Sequence, residues 1–170
     1  MPYLSQETIE MKQLRLNTFE TNSSSSHSFS ITDLSLGPNC LTMDEDGYVV
    51  VYFGRFCSYE DYTSQDDRLS FLIQQLGYEL ECDFWCVSEN EFAQDIEKLK
   101  NSEQFLRIED LVRAYIGYEH CKGINIAYEE GYIDHESVYY SMDRFLMETG
   151  CSILEWIFGN DISFHIEFNG

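Results

Sequence analysis

Residues 20–28 read Glu20-Thr21-Asn22-Ser23-Ser24-Ser25-Ser26-His27-Ser28. Eight of these nine side chains carry oxygen and the ninth is an imidazole. Such a run offers donors and acceptors without positive charge. As an open loop, its backbone amides could wrap a phosphate or another anion as a nest, with Asn22, Ser23, Ser25 and Ser26 as contacts. Glu20 and His27 have the chemistry of a general base and acid, and Ser24 that of a nucleophile. The plainer reading is a polar turn with a capping serine and a surface histidine. Neighbours in sequence do not decide between these, because catalytic partners meet in space.

A second cluster is Gly131-Tyr132-Ile133-Asp134-His135-Glu136-Ser137. In an extended segment Asp134 and Glu136 share one face and His135 takes the other. At a helix start, Asp134 or Ser137 would be a cap and Glu136 would suit the positive end of the dipole. In the functional reading His135 joins His27 and Glu20 in one site. Neutral imidazoles and a carboxylate such as Asp134 could there hold a divalent metal; otherwise no cofactor is expected. The six cysteines are Cys40, Cys57, Cys82, Cys86, Cys121 and Cys151. With no export signal they read as free, mostly buried thiols. Cys82-x-x-x-Cys86 with His120-Cys121 has a spacing tolerable for zinc, but no second tight pair completes it.

These residues need a scaffold. Residues 1–11 form a polar N-terminal extension, and 12–170 read as a single domain. Leu14 and Leu16, then Phe29 and Ile31, fit two short strands flanking the serine run. Asp44-Glu45-Asp46-Gly47 is a turn, and residues 40–43 and 48–53 around it read as a β-hairpin. Leu69, Leu72, Ile73 and Leu76 make an amphipathic helical face ended by Gly77. Residues 81–87 read as a short strand. Ser88 with Glu91 is a capping box for a helix using Phe92, Ile96 and Leu99. A third helix places Leu106, Leu111, Val112, Tyr115 and Ile116 inward and stops at Gly117. Residues 123–128 read as a strand, 138–148 and 152–158 as helices, and the alternation of 162–168 as a half-buried strand. The expected class is α+β: a mainly antiparallel sheet with about four or five helices packed on one face.

Thirty-one acids face ten bases in 170 residues, a net charge of −21 and a pI near 4.2. With 44% apolar and 15% aromatic residues, the chain can still build a core, so it is not a disordered acidic tail. The charge argues against a free nucleic-acid binder, which needs a clustered Lys/Arg footprint. It argues equally against docking on an anionic membrane. No Lys or Arg occurs between Arg15 and Arg55 or after Arg144. Acids bunch at Asp44-Glu45-Asp46, Glu60-Asp61, Asp66-Asp67, Glu79 with Glu81 and Asp83, and Glu129-Glu130. Such a surface attracts a basic groove and speeds encounter with it. Tyr59, Tyr62 and Tyr78 interleave with the acids as candidate interface anchors. The start, MPYLSQETIEMKQ, lacks a basic stretch followed by an apolar run, so a cytoplasmic protein is expected.

RLNTFETNSSSSHSFSI (residues 15–31) resembles the N-terminal signature of small proteins from phages and other bacterial mobile elements. GYIDHES (131–137) and EWIFGNDISFHIE (155–167) are similar to later stretches of the same proteins. Together these cover about a quarter of the chain, in the right order. The resemblance implies an accessory role in a bacterial host cell. Some small acidic proteins of this origin are anti-CRISPRs, and a subset of those disables Cas9 by interfering with, or trimming, its guide RNA. Two expectations follow. The first is a counter-defence inhibitor that engages a basic nucleic-acid-handling partner such as a Cas9 ribonucleoprotein. The second is a hydrolase or ribonuclease built on Glu20, the serine run, His27 and His135, meeting RNA only through that basic partner.

Overall fold

The alternation at the C-terminus builds the centre of the larger sheet. The computed structural model describes residues 12–17, 24–52, 61–82, 88–127 and 141–169. Strand β1 (Lys12–Asn17) pairs antiparallel with β2 (Ser24–Leu36), and β2 pairs antiparallel with β6 (Gly159–Asn169). β4 (Asp61–Tyr62) closes the other side, for the order β1-β2-β6-β4. The register sets Phe29 opposite Phe164 and Ile31 opposite Ile162. All four are buried, while Ser30 and Ser163, also opposite one another, are half-buried. One face of the central pair is therefore apolar, as a period of two requires.

A second, two-stranded sheet pairs β3 (Tyr48–Tyr52) with β5 (Gly123–Ala127) in parallel. This corrects the hairpin expected around the Asp44–Gly47 turn. The turn is present: Asp44 Oδ1 accepts from the amides of Asp46 and Tyr48, at 3.0 and 2.9 Å. Antiparallel pairing beyond it is a single bridge, Met43 to Val49. Val49 and Val51 instead enter the core beside Ile124, all three fully buried, and the ladder follows that burial.

Among the described residues, five helices complete the α+β fold. They are α1 (Gln65–Glu79), α2 (Glu89–Lys100), α3 (Glu103–Ile116), α4 (Met142–Thr149) and α5 (Ile153–Phe158). Ser64, Ser88, Ser102, Ser141 and Ser152 cap their N-termini, and Ser88–Glu91 and Ser152–Glu155 are full capping boxes. Gly117 ends α3 at φ 109°, a conformation that L side chains adopt rarely. Gly77 does not end α1, which continues to Glu79 with Gly77 buried. α5 packs on β2 and β6; α1 lies against α4, α5 and β3, and so joins the two sheets. Trp156 meets Phe145 edge-on at 4.8 Å, and Phe29, Phe71 and Phe164 surround them at 4.7–6.3 Å. That aromatic cluster holds the helices to the larger sheet. The N-terminal extension 1–11, residues 83–87 of the strand expected over 81–87 and the segment 128–140 lie outside the described residues, while Glu81 lies in a turn and Cys82 in irregular chain.

Candidate functional site

Of the residues singled out in sequence, Glu20, Asn22, Ser23, Asp134 and His135 lie outside the described residues. Ser24, Ser25, Ser26 and His27 are placed, and they belong to β2 rather than to a loop. Ser24 stands opposite Asn169, Ser25 opposite Phe168, Ser26 opposite Glu167 and His27 opposite Ile166. On the other side Ser26 pairs with Asn17 and His27 with Leu16. The serines' weak strand propensity is overridden by ladders on both sides. From Ser26 onward, the backbone groups that a loop would turn toward an anion lie between two neighbouring strands.

The two stretches of chain free of Lys and Arg meet in this sheet. One contains β2 and the other contains β6. Past Ile31 the register shifts, and Asp33 stands directly opposite Asp161. Like charges in that position oppose pairing. The local hydroxyls offset them: the Thr32 hydroxyl donates to the Asp161 carboxylate. Ser35 donates to Asp33 Oδ1 from its amide at 2.9 Å and from its hydroxyl at 2.6 Å. Those Ser35 bonds hold the Asp33 carboxyl below the usual carboxylate range, so the charge persists at neutral pH. Asn160 Nδ2 donates to Ser35 Oγ at 2.9 Å, which ties β6 to the same turn of β2.

Leu34 and Leu36 flank this cluster and stay exposed, 37% and 42%. Carboxylates held by hydroxyls, with apolar side chains between them, can meet a surface of bases and exposed carbon. Arg68 attracts Asp161 but is itself buried, 3% exposed, with Nη1 donating to the Gly159 carbonyl at 2.8 Å. Asp33 and Asp161 are both exposed. Sequence reading passed over this pair because each acid stands alone in its own segment. The detectable signal was the two base-free stretches.

Other candidates divide. Tyr62 is buried and stacks on Phe164 at 4.8 Å, so it is a core residue and not an interface anchor. Tyr78 is exposed, and Tyr59 lies outside the described residues. The Cys82 thiol bonds the Asp95 carbonyl and the Cys121 thiol bonds the Gly123 carbonyl. Burial pushes the Cys82 thiol up to about 11, and it pushes Cys121 up as well. Cys86, the partner of Cys82 in the zinc-like spacing, lies outside the described residues. Among the described residues, no three His, Cys, Asp or Glu side chains converge as a metal site. No described helix is long and apolar enough to cross a membrane. Comparison with protein-family models, with curated proteins and with solved structures returns no match.

Proposed function

We propose that this chain is a counter-defence inhibitor of phage type. It engages a basic nucleic-acid-handling effector such as Cas9 and interferes with its guide RNA. The observation that carries this reading is the Asp33–Asp161 pair. Two exposed acids stand at opposed register positions of the central strands, in the two stretches that hold no Lys or Arg. Hydrogen bonds from Ser35 and Thr32 hold the two carboxylates in place on this face. A partner that presents phosphate-binding Lys and Arg gains from the same charge. Leu34 and Leu36 supply apolar contact between the acids, and the net charge of −21 speeds the encounter.

The test is incubation of the protein with Cas9 and its guide RNA, resolved on native and denaturing gels beside Asp33→Lys/Asp161→Lys and His27→Ala variants. The inhibitor reading expects an intact guide and a salt-sensitive complex or blocked guide loading. That effect survives His27→Ala and is lost on charge reversal. A complex that is insensitive to both reversals ends the acidic-face reading. A guide shortened by the unmodified protein but not by His27→Ala establishes the ribonuclease instead, with catalysis at the serine segment.

A further inference from the structure

Away from the acidic strands, α3, α4 and the start of α5 enclose an open groove of about 620 Å³. Its two walls differ in charge and share an apolar character. The α3 wall supplies Arg107 and Leu111; the α4 wall supplies Asp143, Leu146 and Met147. Leu106, next to Arg107, is 51% exposed, and Met147 is 75% exposed. Met147, on the groove itself, and Leu106, next in sequence to its Arg107, are thus large apolar side chains left in solvent. Arg107 and Asp143 are both exposed, and among the described residues neither makes a hydrogen bond or an ion pair.

Local charge sets this side apart. Between positions 98 and 122 the chain holds five bases (Lys98, Lys100, Arg107, Arg113, Lys122) and four acids (Glu103, Glu109, Asp110, Glu119). The rest of the chain sets five bases against twenty-seven acids. A strongly basic partner is drawn to the rest of the surface, not to this near-neutral segment. Two copies of a chain of net charge −21 repel each other overall, and the α3 side of the groove adds little to that repulsion.

We propose that this groove is the interface of a twofold homodimer, with each copy's α3 wall set against the α4 wall of the other. Under a twofold axis the same patch must complement itself. It does so here: Arg107 meets the partner's Asp143, and Asp143 meets the partner's Arg107. Leu106 and Met147 come out of water together. One base and one acid on facing walls, neither paired among the described residues, are what an isologous contact needs. This inference is independent of the proposed effector, which binds at β2 and β6.

Sedimentation of the full chain tests it, over roughly 1–200 μM and at about 50 and 500 mM salt. The expected species has the mass of two 20.0 kDa chains. It is tighter at high salt, because screening weakens repulsion between whole molecules more than a contact at a few ångströms. Arg107→Asp alone and Asp143→Arg alone each weaken association by about tenfold or more, and the double variant restores it to within about threefold. Met147→Glu, at an exposed position, also dissociates the dimer and serves if a charge variant fails to fold. A monomer across the whole range overturns the proposal. So does a dimer that none of the substitutions moves, or one whose single reversals are not rescued by the double.

Discussion

At the scale of single residues, the most committed polar group is Arg68. It sits in the first turns of α1, 3% exposed, and donates to the Gly159 carbonyl where α5 passes into β6. Its own carbonyl accepts from Trp156 Nε1 at 2.8 Å. Arg68→Met keeps the apolar stem but leaves the Gly159 carbonyl without that donor. We expect a loss of about 3 kcal/mol, read as a lower urea midpoint at unchanged slope. The thiols give a second residue-scale prediction. Cys40 is exposed, whereas burial, with Asp95 adding to it, holds the Cys82 thiol at about 11. Alkylation at about pH 8 followed by peptide mapping should label Cys40 well ahead of Cys82, since the thiolate is the nucleophile. The linkage has a definite sign. A thiol raised above its ordinary 9.0 stabilises the fold below that pH and loses its contribution as pH rises through about 11. Cys82→Ala should therefore flatten the alkaline decline of stability. A decline equally steep in the variant assigns it to other groups.

At the scale of elements, the junctions are tighter than the elements they join. A Cβ at Gly159 would stand 2.5 Å from the Glu155 carbonyl and 2.6 Å from Ile162 Cδ1. Backbone cannot give way there as a side-chain tip can. Gly159→Ala should cost about 2 kcal/mol and lower the melting temperature, and an unchanged temperature would mean that α5 and β6 can separate slightly. Ser88→Ala should cost about 1 kcal/mol through the lost cap. The Ser88 bonds hold the Glu91 carboxyl below its usual range, so its contribution is present above ordinary glutamate pKa values and fades as pH falls through the lowered one. These junctions also show what a linear reading can reach. The cap at Ser88, the stop at Gly117 and the alternation of Ile162 and Phe164 are local patterns, and they were legible. The parallel β3–β5 pair was not, because helices α1, α2 and α3 intervene and nothing near Tyr48 marks Gly123 as its partner. The serine segment misled for a similar reason. Its composition reads as loop, while its placement depends on two partner strands, one of them at the far end of the chain. The Asp33–Asp161 pair needs that same register before it exists at all.

At the scale of the whole molecule, charge sets stability and binding against each other. A chain of net charge −21 stabilises on adding salt, because screening relieves self-repulsion in the compact state. Its complex with a basic effector weakens over the same salt range, because the attraction is screened as well. The two trends should therefore run in opposite directions when melting temperature and complex affinity are measured in one salt series. The sharpest case lies at Asp33 and Asp161. Converting both to Asn keeps a side-chain oxygen for the donors on Ser35 and Thr32 and removes two like charges facing across β2 and β6. That double variant should bind the effector at least about tenfold less well and, if like-charge repulsion outweighs the Ser35 bonds that favour a charged Asp33, melt at a higher temperature. Loss of stability would mean that the carboxylates are structural acceptors and that their charge serves the fold. Greater stability with undiminished binding would move the effector's footprint to another part of the acidic surface. Only the opposed pair of changes identifies the β2–β6 face as charge kept for a partner at a cost to the fold.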